Sequence, residues 1–362
     1  MTSQAGDPPD FDFLSTNGRT LASNLLKPHL DGTCAIANGT DLLALIPTGG
    51  GKTAFLFLPI FLINAIHSNS SLPPSVKDRF PKNPLVVAIF PTISLEMEKE
   101  IEFRELGLRA LVINAKTLDD AHQRGEDLWE TAILPSVSLL LLSPEQLISK
   151  GFGTLLDRPE FQIHIHSLGV DEIHLCNIWG PLFRKAFQQI GYLRHHLPQR
   201  TVLVALTATL LVGQRARNVL DFLGLKHGQY HRIHLSNVRP DLHLIIRTMS
   251  AGIASRQFPY LDWILAQNKK TIIFCQTILI SFRVLIYLWN AYNRETLELL
   301  HQVGSELQIT IATDALTQGN NTPDIWNVVI VDTVEDPDQF FQRVGRAGRN
   351  RALITEGRGI MQ

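Results

Sequence analysis

Eight consecutive residues, Ile46-Pro47-Thr48-Gly49-Gly50-Gly51-Lys52-Thr53, set three glycines beside a lysine and a threonine. Glycines let successive backbone N–H groups close around an anion with no Cβ in the way. The apolar run 42–46 before them reads as a buried strand, and 54–66 after them as a helix. The N-terminus of that helix adds a partial positive charge. Strand, glycine-rich turn and helix together form a cradle for nucleotide phosphates. Thr48, Gly49, Gly50 and Gly51 line it, Lys52 reaches the β- and γ-phosphates, and the Thr53 hydroxyl holds Mg²⁺. The strict pattern has glycine where this chain has Ile46. The competing reading is an ordinary glycine-rich turn carrying an exposed lysine, and the flanking strand and helix weigh against it.

Asp171-Glu172-Ile173-His174 follows the apolar run 164–170, at the strand end where open α/β sheets bind ligands. There Asp171 is expected to hold Mg²⁺ and Glu172 to orient or activate the attacking water. A helix cap is the plainer reading of such a pair taken alone. Ala205-Leu206-Thr207-Ala208-Thr209 ends the next strand, and the hydroxyls of Thr207 and Thr209 are placed to hydrogen-bond to the acidic pair and transmit the state of the nucleotide. Taken alone, it reads equally as an ordinary strand end. Gln342-Arg343-Val344-Gly345-Arg346-Ala347-Gly348-Arg349 sets three arginines at helical spacing around glycines. Phosphoryl transfer needs a cation at the developing charge, a task for Arg346 and Arg349, with Gln342 as a further nucleotide contact. A solvated basic face is the alternative.

These residues are spread over 362 positions, a length suited to two domains. Hydrophobic residues make up 45% and charged residues 19%, a globular composition. The net charge of −1 means that a nucleic acid would be met by local patches. No apolar run reaches the roughly 18 residues of a membrane span. The N-terminus is acidic and polar, unlike a secretory signal. Three scattered cysteines argue for a reducing compartment and against a zinc site. Short helices are expected at 18–27 and 31–38, divided by Pro28. Strands are expected at 85–90, 110–113, 137–142, 164–170 and 201–206, with helices between them, including 118–130. Past a junction near Pro240 the alternation restarts: helices 254–267, 278–290 and 294–301, strands 271–274, 308–312 and 328–331. Strands alternating with helices imply an α/β fold with parallel sheets, divided into domains 1–240 and 241–362.

The order of these motifs, with Ala312-Thr313-Asp314 ahead of the arginines, resembles a superfamily-two helicase of the DExH type. Residues 175–184, which pair Trp179-Gly180 with Phe183-Arg184, resemble the aromatic-rich loop of the RecQ family. So does the Pro-Thr-Gly-Gly-Gly-Lys form of the phosphate loop. Leu142-Ser143-Pro144-Glu145-Gln146-Leu147 resembles a segment of the RecQ-like helicases of mushroom-forming fungi. The resemblance implies two tandem RecA-like (P-loop NTPase) domains, the second smaller, that clamp ATP and Mg²⁺ between them. It implies an ATP-dependent 3′–5′ helicase core acting on single-stranded or forked DNA, with no membrane partner and with residence in the nucleus. Pro91, Thr92 and Ser143 would line the strand path. Trp179, Phe183 and Arg184 would form the coupling loop. His174, Thr207, Thr209 and Asp314 would link hydrolysis to DNA.

The chain departs from that family in four places. Lys27-Pro28-His29-Leu30-Asp31 lacks the glutamine that reads adenine. Asn321 stands where an aspartate is common. The interval from Thr277 to Ala312 has room for one βαβ crossover, so the second lobe reads as internally shortened. The chain stops soon after its last motif, with no zinc module or winged helix. A catalytically impaired nucleotide- and nucleic-acid-binding remnant, or an RNA helicase, are the alternative readings.

Overall fold

A computed structural model describes residues 16–177, 190–210, 213–236, 242–249, 252, 255–267, 269–299, 309–313, 325–331, 337–349, 354 and 356–361. Trp179, Phe183, Arg184, Asp314 and the segment 318–324 lie outside the described residues. The chain divides into two compact units, 1–237 and 238–362.

The first unit is built on a seven-stranded parallel sheet. Its strands are β1 (Asp41–Leu45), β2 (Leu85–Ile89), β3 (Ala110–Ile113), β4 (Leu139–Leu142), β5 (Ile165–Val170), β6 (Val202–Thr207) and β7 (Tyr230–His234), in spatial order β3-β4-β2-β5-β6-β1-β7. The central strands are buried throughout, Leu139–Leu142 and Leu85–Ile89 being apolar at every position. Both faces of a parallel sheet are covered, so continuous apolar runs replace the polar alternation of a one-sided sheet. One apolar layer forms on each face, one around Leu140, Phe152 and Leu203, the other around Ile36, Phe55 and Val204.

The second unit carries a five-stranded parallel sheet of β8 (Leu242–Ile246), β9 (Thr271–Cys275), β10 (Ile309–Ala312), β11 (Asn327–Val331) and β12 (Gly357–Met361), ordered β10-β9-β11-β12-β8. Two tandem RecA-like α/β lobes, the second smaller, are thus as expected. Among the described residues, β9 and β10 are parallel neighbours joined by one helix, Ile278–Leu299.

Four local expectations need correction. Residues 18–38 do not form two helices. One helix, α1 (Thr16–Ala37), runs through Pro28. Proline costs it a hydrogen bond, and close packing of α1 on α2 (Ala54–Ser68) offsets that loss. A Cβ on Gly32 would lie 2.4 Å from the Phe55 ring. Residues 118–130 form two helices, Ala115–Gln123 and Leu128–Ala132, because Gly125 (φ +71°) takes the left-handed stop and Asp127 then caps a new start. Pro259 confines 254–267 to a short turn followed by Asp262–Ala266. By contrast, 278–290 and 294–301 merge into a single helix, since neither glycine nor proline interrupts 278–299. Strands β7, β8 and β12 were not expected. Two of them are sheet edges, and their mixed polar sequences carry no apolar run.

α3 (Ile93–Glu105) and α4 (Ala115–Gln123) start beyond the carboxyl ends of β2 and β3, and a buried contact ties them together. Asn114, the N-cap of α4, donates from Nδ2 to Glu96 Oε2 at 2.7 Å, and Glu96 is fully buried. Burial pushes the Glu96 carboxyl up to about 8; the Asn114 bond opposes this and nearby Glu145 adds to it. Glu96 ionises near 4.5 when unfolded, so the fold holds an extra proton between those values. The stability it confers is complete below 4.5 and drains away as pH rises towards 8. Glu96→Gln should flatten this slope, giving a thermal midpoint roughly 5 °C above wild type at about pH 8.5 and none of that gain at low pH. Parallel pH profiles for the two proteins would assign the slope to other groups.

Candidate nucleotide site

The phosphate loop leaves β1 at Ile46, which is fully buried and whose N–H donates to the Thr207 carbonyl at 3.0 Å. Ile46 continues the strand, so the chain has not yet turned at the position where the strict pattern has glycine. The turn begins at Pro47, whose carbonyl accepts from Gly50 N–H at 2.9 Å. Gly49 and Gly51 have φ of +82° and +78°, and a Cβ on Gly50 would lie 2.5 Å from Ile46 Cγ2. All three glycines are therefore required, two by backbone conformation and one by crowding. Thr48 lies in the turn itself. Thr53 is the N-cap of α2, yet its side chain makes no capping hydrogen bond. A threonine at this position normally spends its oxygen on the helix.

The neighbouring strands supply the rest. Asp171 N–H donates to the Ile89 carbonyl at 3.0 Å, so the acidic pair begins where β5 leaves β2. Asp171 Oδ1 accepts from Glu172 N–H at 2.9 Å. Glu172 has φ +50°, the one positive value on a non-glycine among the described residues. Strain of this kind persists only where the surroundings enforce it. Here Lys52 Nζ donates to Glu172 Oε1 at 2.7 Å, a pair separated by 120 positions in sequence. Both side chains are largely buried, at 12% and 19% exposure.

His174 Nδ1 lies 3.3 Å from Glu172 Oε2 and 3.0 Å from Thr207 Oγ1. The Thr207 hydroxyl donates its proton to the Thr209 carbonyl at 2.7 Å and accepts from Thr209 N–H at 3.3 Å. With that proton spent, the hydrogen between His174 and Thr207 belongs to Nδ1, an assignment made from the bonding pattern. Lys52, Glu172, His174, Thr207 and Thr209 thus form one continuous polar chain across three strand ends. Burial pushes the Asp171 carboxyl up to about 6, with Lys52 opposing and Glu172 reinforcing the shift. Burial works against ionisation of Glu172 as well. Lys52, with His174 close by, outweighs it and holds that carboxyl well below the usual range. The unengaged Thr53 hydroxyl and the Asp171 carboxylate are hard oxygen donors of the kind Mg²⁺ takes, so these residues fit the ion.

Further along the same sheet edge, Pro91 and Thr92 follow β2, where Thr92 caps α3 by accepting from Leu95 N–H at 3.4 Å. Ser143 follows β4 and is buried. In the second unit, Gln342 and Arg343 lie on the helix Pro337–Val344, but the helix ends there. The three arginines are therefore not all at helical spacing. Arg346 and Arg349 belong to the turn beyond, anchored by Gly348 N–H on the Ile325 carbonyl at 2.9 Å. The basic stretch is not a solvated face either. Arg343 is buried with its guanidinium over the Phe274 ring, and Arg346 is buried too.

The DEAD/DEAH box helicase family matches residues 32–216, just over half of the chain. The chain belongs to this family. Residues 256–351 match the helicase conserved C-terminal domain. A protein of Acanthamoeba polyphaga mimivirus described as an ATP-dependent RNA helicase is 25% identical over 328 residues, covering 87% of this chain and 54% of its own length. The ATP-dependent DNA helicase RecQ of a Synechocystis species is 24% identical over 330 residues, covering 88% and 64%. The chain spans about half the length of such curated relatives. The solved structure of the DUF1998 helicase MrfA bound to DNA and AMPPNP shares the fold at a TM-score of 0.64 and 15% identity, covering 94% of this chain and 49% of that one. No described helix is long and apolar enough to cross a membrane.

One residue touching the loop escaped the sequence reading. His29 on α1 contacts Gly51, and the only signal was its place in the Lys27–Asp31 stretch. The polar chain makes its own prediction. Thr207→Val should deprive both His174 Nδ1 and Thr209 N–H of this acceptor, costing about 1–3 kcal/mol, or roughly 2–4 °C of thermal midpoint per kcal/mol. Thr207→Ser should retain most of the stability. Equal melting of the Val variant and wild type would contradict the relay.

Proposed function

We propose that this chain is the motor core of a RecQ-like ATP-dependent helicase that moves 3′ to 5′ on single-stranded or forked DNA. The observation that carries the proposal is the unbroken polar chain from Lys52 through Glu172 and His174 to Thr207, beside a phosphate-cradling loop. Thr48 to Gly51 supply backbone N–H groups, and Lys52 the cation, for the β- and γ-phosphates. Thr53 and Asp171 would hold Mg²⁺, which when bound neutralises phosphate charge.

As Lys52 turns to phosphate it leaves Glu172. The burial that opposes ionisation of Glu172 is then no longer offset by Lys52, and the carboxylate becomes a stronger base for the attacking water. His174 sits between Glu172 and the Thr207–Thr209 turn, so a proton gained by Glu172 changes the charge that His174 faces. Gln342, Arg346 and Arg349 are further proposed nucleotide contacts. Pro91, Thr92, Ser143, Trp179, Phe183, Arg184 and Asp314 are the proposed strand contacts and coupling residues.

DNA as substrate is supported by the RecQ relative and by the aromatic-rich loop in the sequence. The mimivirus relative favours the second reading, an RNA helicase. Lys52→Ala should abolish ATP hydrolysis. Glu172→Gln should lower turnover by about 10²–10⁴-fold while still binding MgATP. ATPase measured with single-stranded DNA and with single-stranded RNA, followed by strand separation on a 3′-tailed duplex, tests the substrate. Stimulation by RNA alone would replace the DNA reading, and an intact chain without ATPase would remove the enzymatic one.

A further inference from the structure

We propose that His29 is a positioning residue of the phosphate loop, pinning the Gly51 peptide so that the Lys52 N–H faces the anion; this rests on the nucleotide reading of that loop. His29 lies 22 positions before Gly51, on a different element, and its Nε2 is 3.1 Å from the Gly51 carbonyl. The carbonyl only accepts, so Nε2 carries the hydrogen. Ala54 N–H, from the first turn of α2, donates to the same oxygen at 2.9 Å. Two donors from two helices thus hold a single carbonyl in the middle of a turn.

The ring is itself held. It stacks on Phe55 with centroids 5.2 Å apart and planes 14° from parallel. Phe55 is fully buried, and Gly32, one turn further along α1, leaves the space its ring fills. His29 and Gly32 therefore grip one aromatic ring of α2, and this fixes where the imidazole can reach. A Cβ on Gly51 would lie 3.0 Å from His29 Nε2, a tight contact that the imidazole would have to shift to relieve.

The consequence follows from the planarity of the peptide. In a trans peptide the C=O and the following N–H point in opposite directions. A Gly51 carbonyl fixed towards α1 turns the Lys52 N–H away from α1, to the open side of the turn. Gly51, at φ +78°, has wide backbone freedom, so without the pin only the Ala54 N–H holds this peptide plane and it reorients more readily. His29 thus orients a donor of the cradle without touching the nucleotide.

The test uses the intact chain as wild type, His29→Leu and His29→Gln. Hydrogen exchange in the nucleotide-free state is read over residues 48–53 and over β1 and β2, and the dissociation constant of a fluorescent ATP analogue with Mg²⁺ is measured alongside. Leucine keeps apolar contact with Phe55 but has no donor. It should speed exchange in the loop and weaken nucleotide binding, each by about tenfold, the scale of one hydrogen bond. Glutamine restores an N–H donor at similar reach and should bring both back to within about threefold of wild type. Unchanged loop exchange in His29→Leu overturns the proposal. So does a glutamine variant as impaired as leucine, or faster exchange in β1 and β2 as well, which would make His29 a packing residue. If wild type binds no nucleotide while the loop-exchange pattern holds, the pin stands and the nucleotide reading is what fails.

Discussion

Two adjacent carboxylates, Asp171 and Glu172, are held largely out of water at the end of a buried strand, and Lys52 is what makes that arrangement possible. Like charges this close, in a site of low polarity, favour protonation of one of them, and burial alone pushes both upward. The ammonium of Lys52, 2.7 Å from Glu172, reverses the balance for Glu172. The cost is concentrated on Asp171, whose carboxyl is left raised and therefore responsive to any further cation placed beside it. Environment has split one Asp-Glu pair into a firmly ionised member and a poised one, the separation of roles that two-carboxylate chemistry requires.

That balance depends on strand order. β1, β5 and β6 lie side by side, β6 between the other two, and all run in the same direction. Their registers set Leu45 level with Thr207 and Val170 level with Ala205. The three strand ends therefore deliver Lys52, Glu172 and Thr207 to one place from positions far apart in the chain. A register slip of one residue would turn the Thr207 hydroxyl to the other face of the sheet, removing the acceptor of His174. The hydrophobic layers on both faces fix the register, and the polar chain is built on that accuracy.

The sheets and the polar cluster were largely legible in the sequence because each signal is local. Apolar runs such as Leu139–Leu142 mark strands buried on both faces, and the glycines, Lys52 and the Asp-Glu pair carry their chemistry in their types. Less legible were features set by distant partners. β7 and β8 are half-exposed edges whose hydrogen bonding is settled by the neighbouring strand. α1 passes through Pro28 because packing on Phe55 outweighs one lost hydrogen bond. Glu96 reads as a surface residue of a polar helix, and only the meeting of α3 with Asn114 shows it buried. The arginine stretch looked periodic, yet Gly345 and Gly348 (φ +61°) end the helix and wrap Arg346 into a turn.

The single crossover between β9 and β10 bears on different parts of the second unit to different degrees. Arg343 is stacked over Phe274 of β9, and the turn holding Arg346 and Arg349 hangs from the Ile325 carbonyl just before β11. β11 pairs with β9 on one side and β12 on the other, in the interior of the five-stranded sheet. Among the described residues, β10 pairs only with β9 and forms the sheet edge. The arginines are thus anchored to the closed part of the sheet, while the short connection ends on its open side. Under the proposed function, a family segment missing between β9 and β10 would subtract from contacts on the β10 side and would leave the anchoring of the arginine turn intact. The arginine turn and the β10 edge thus rest on separable parts of that sheet.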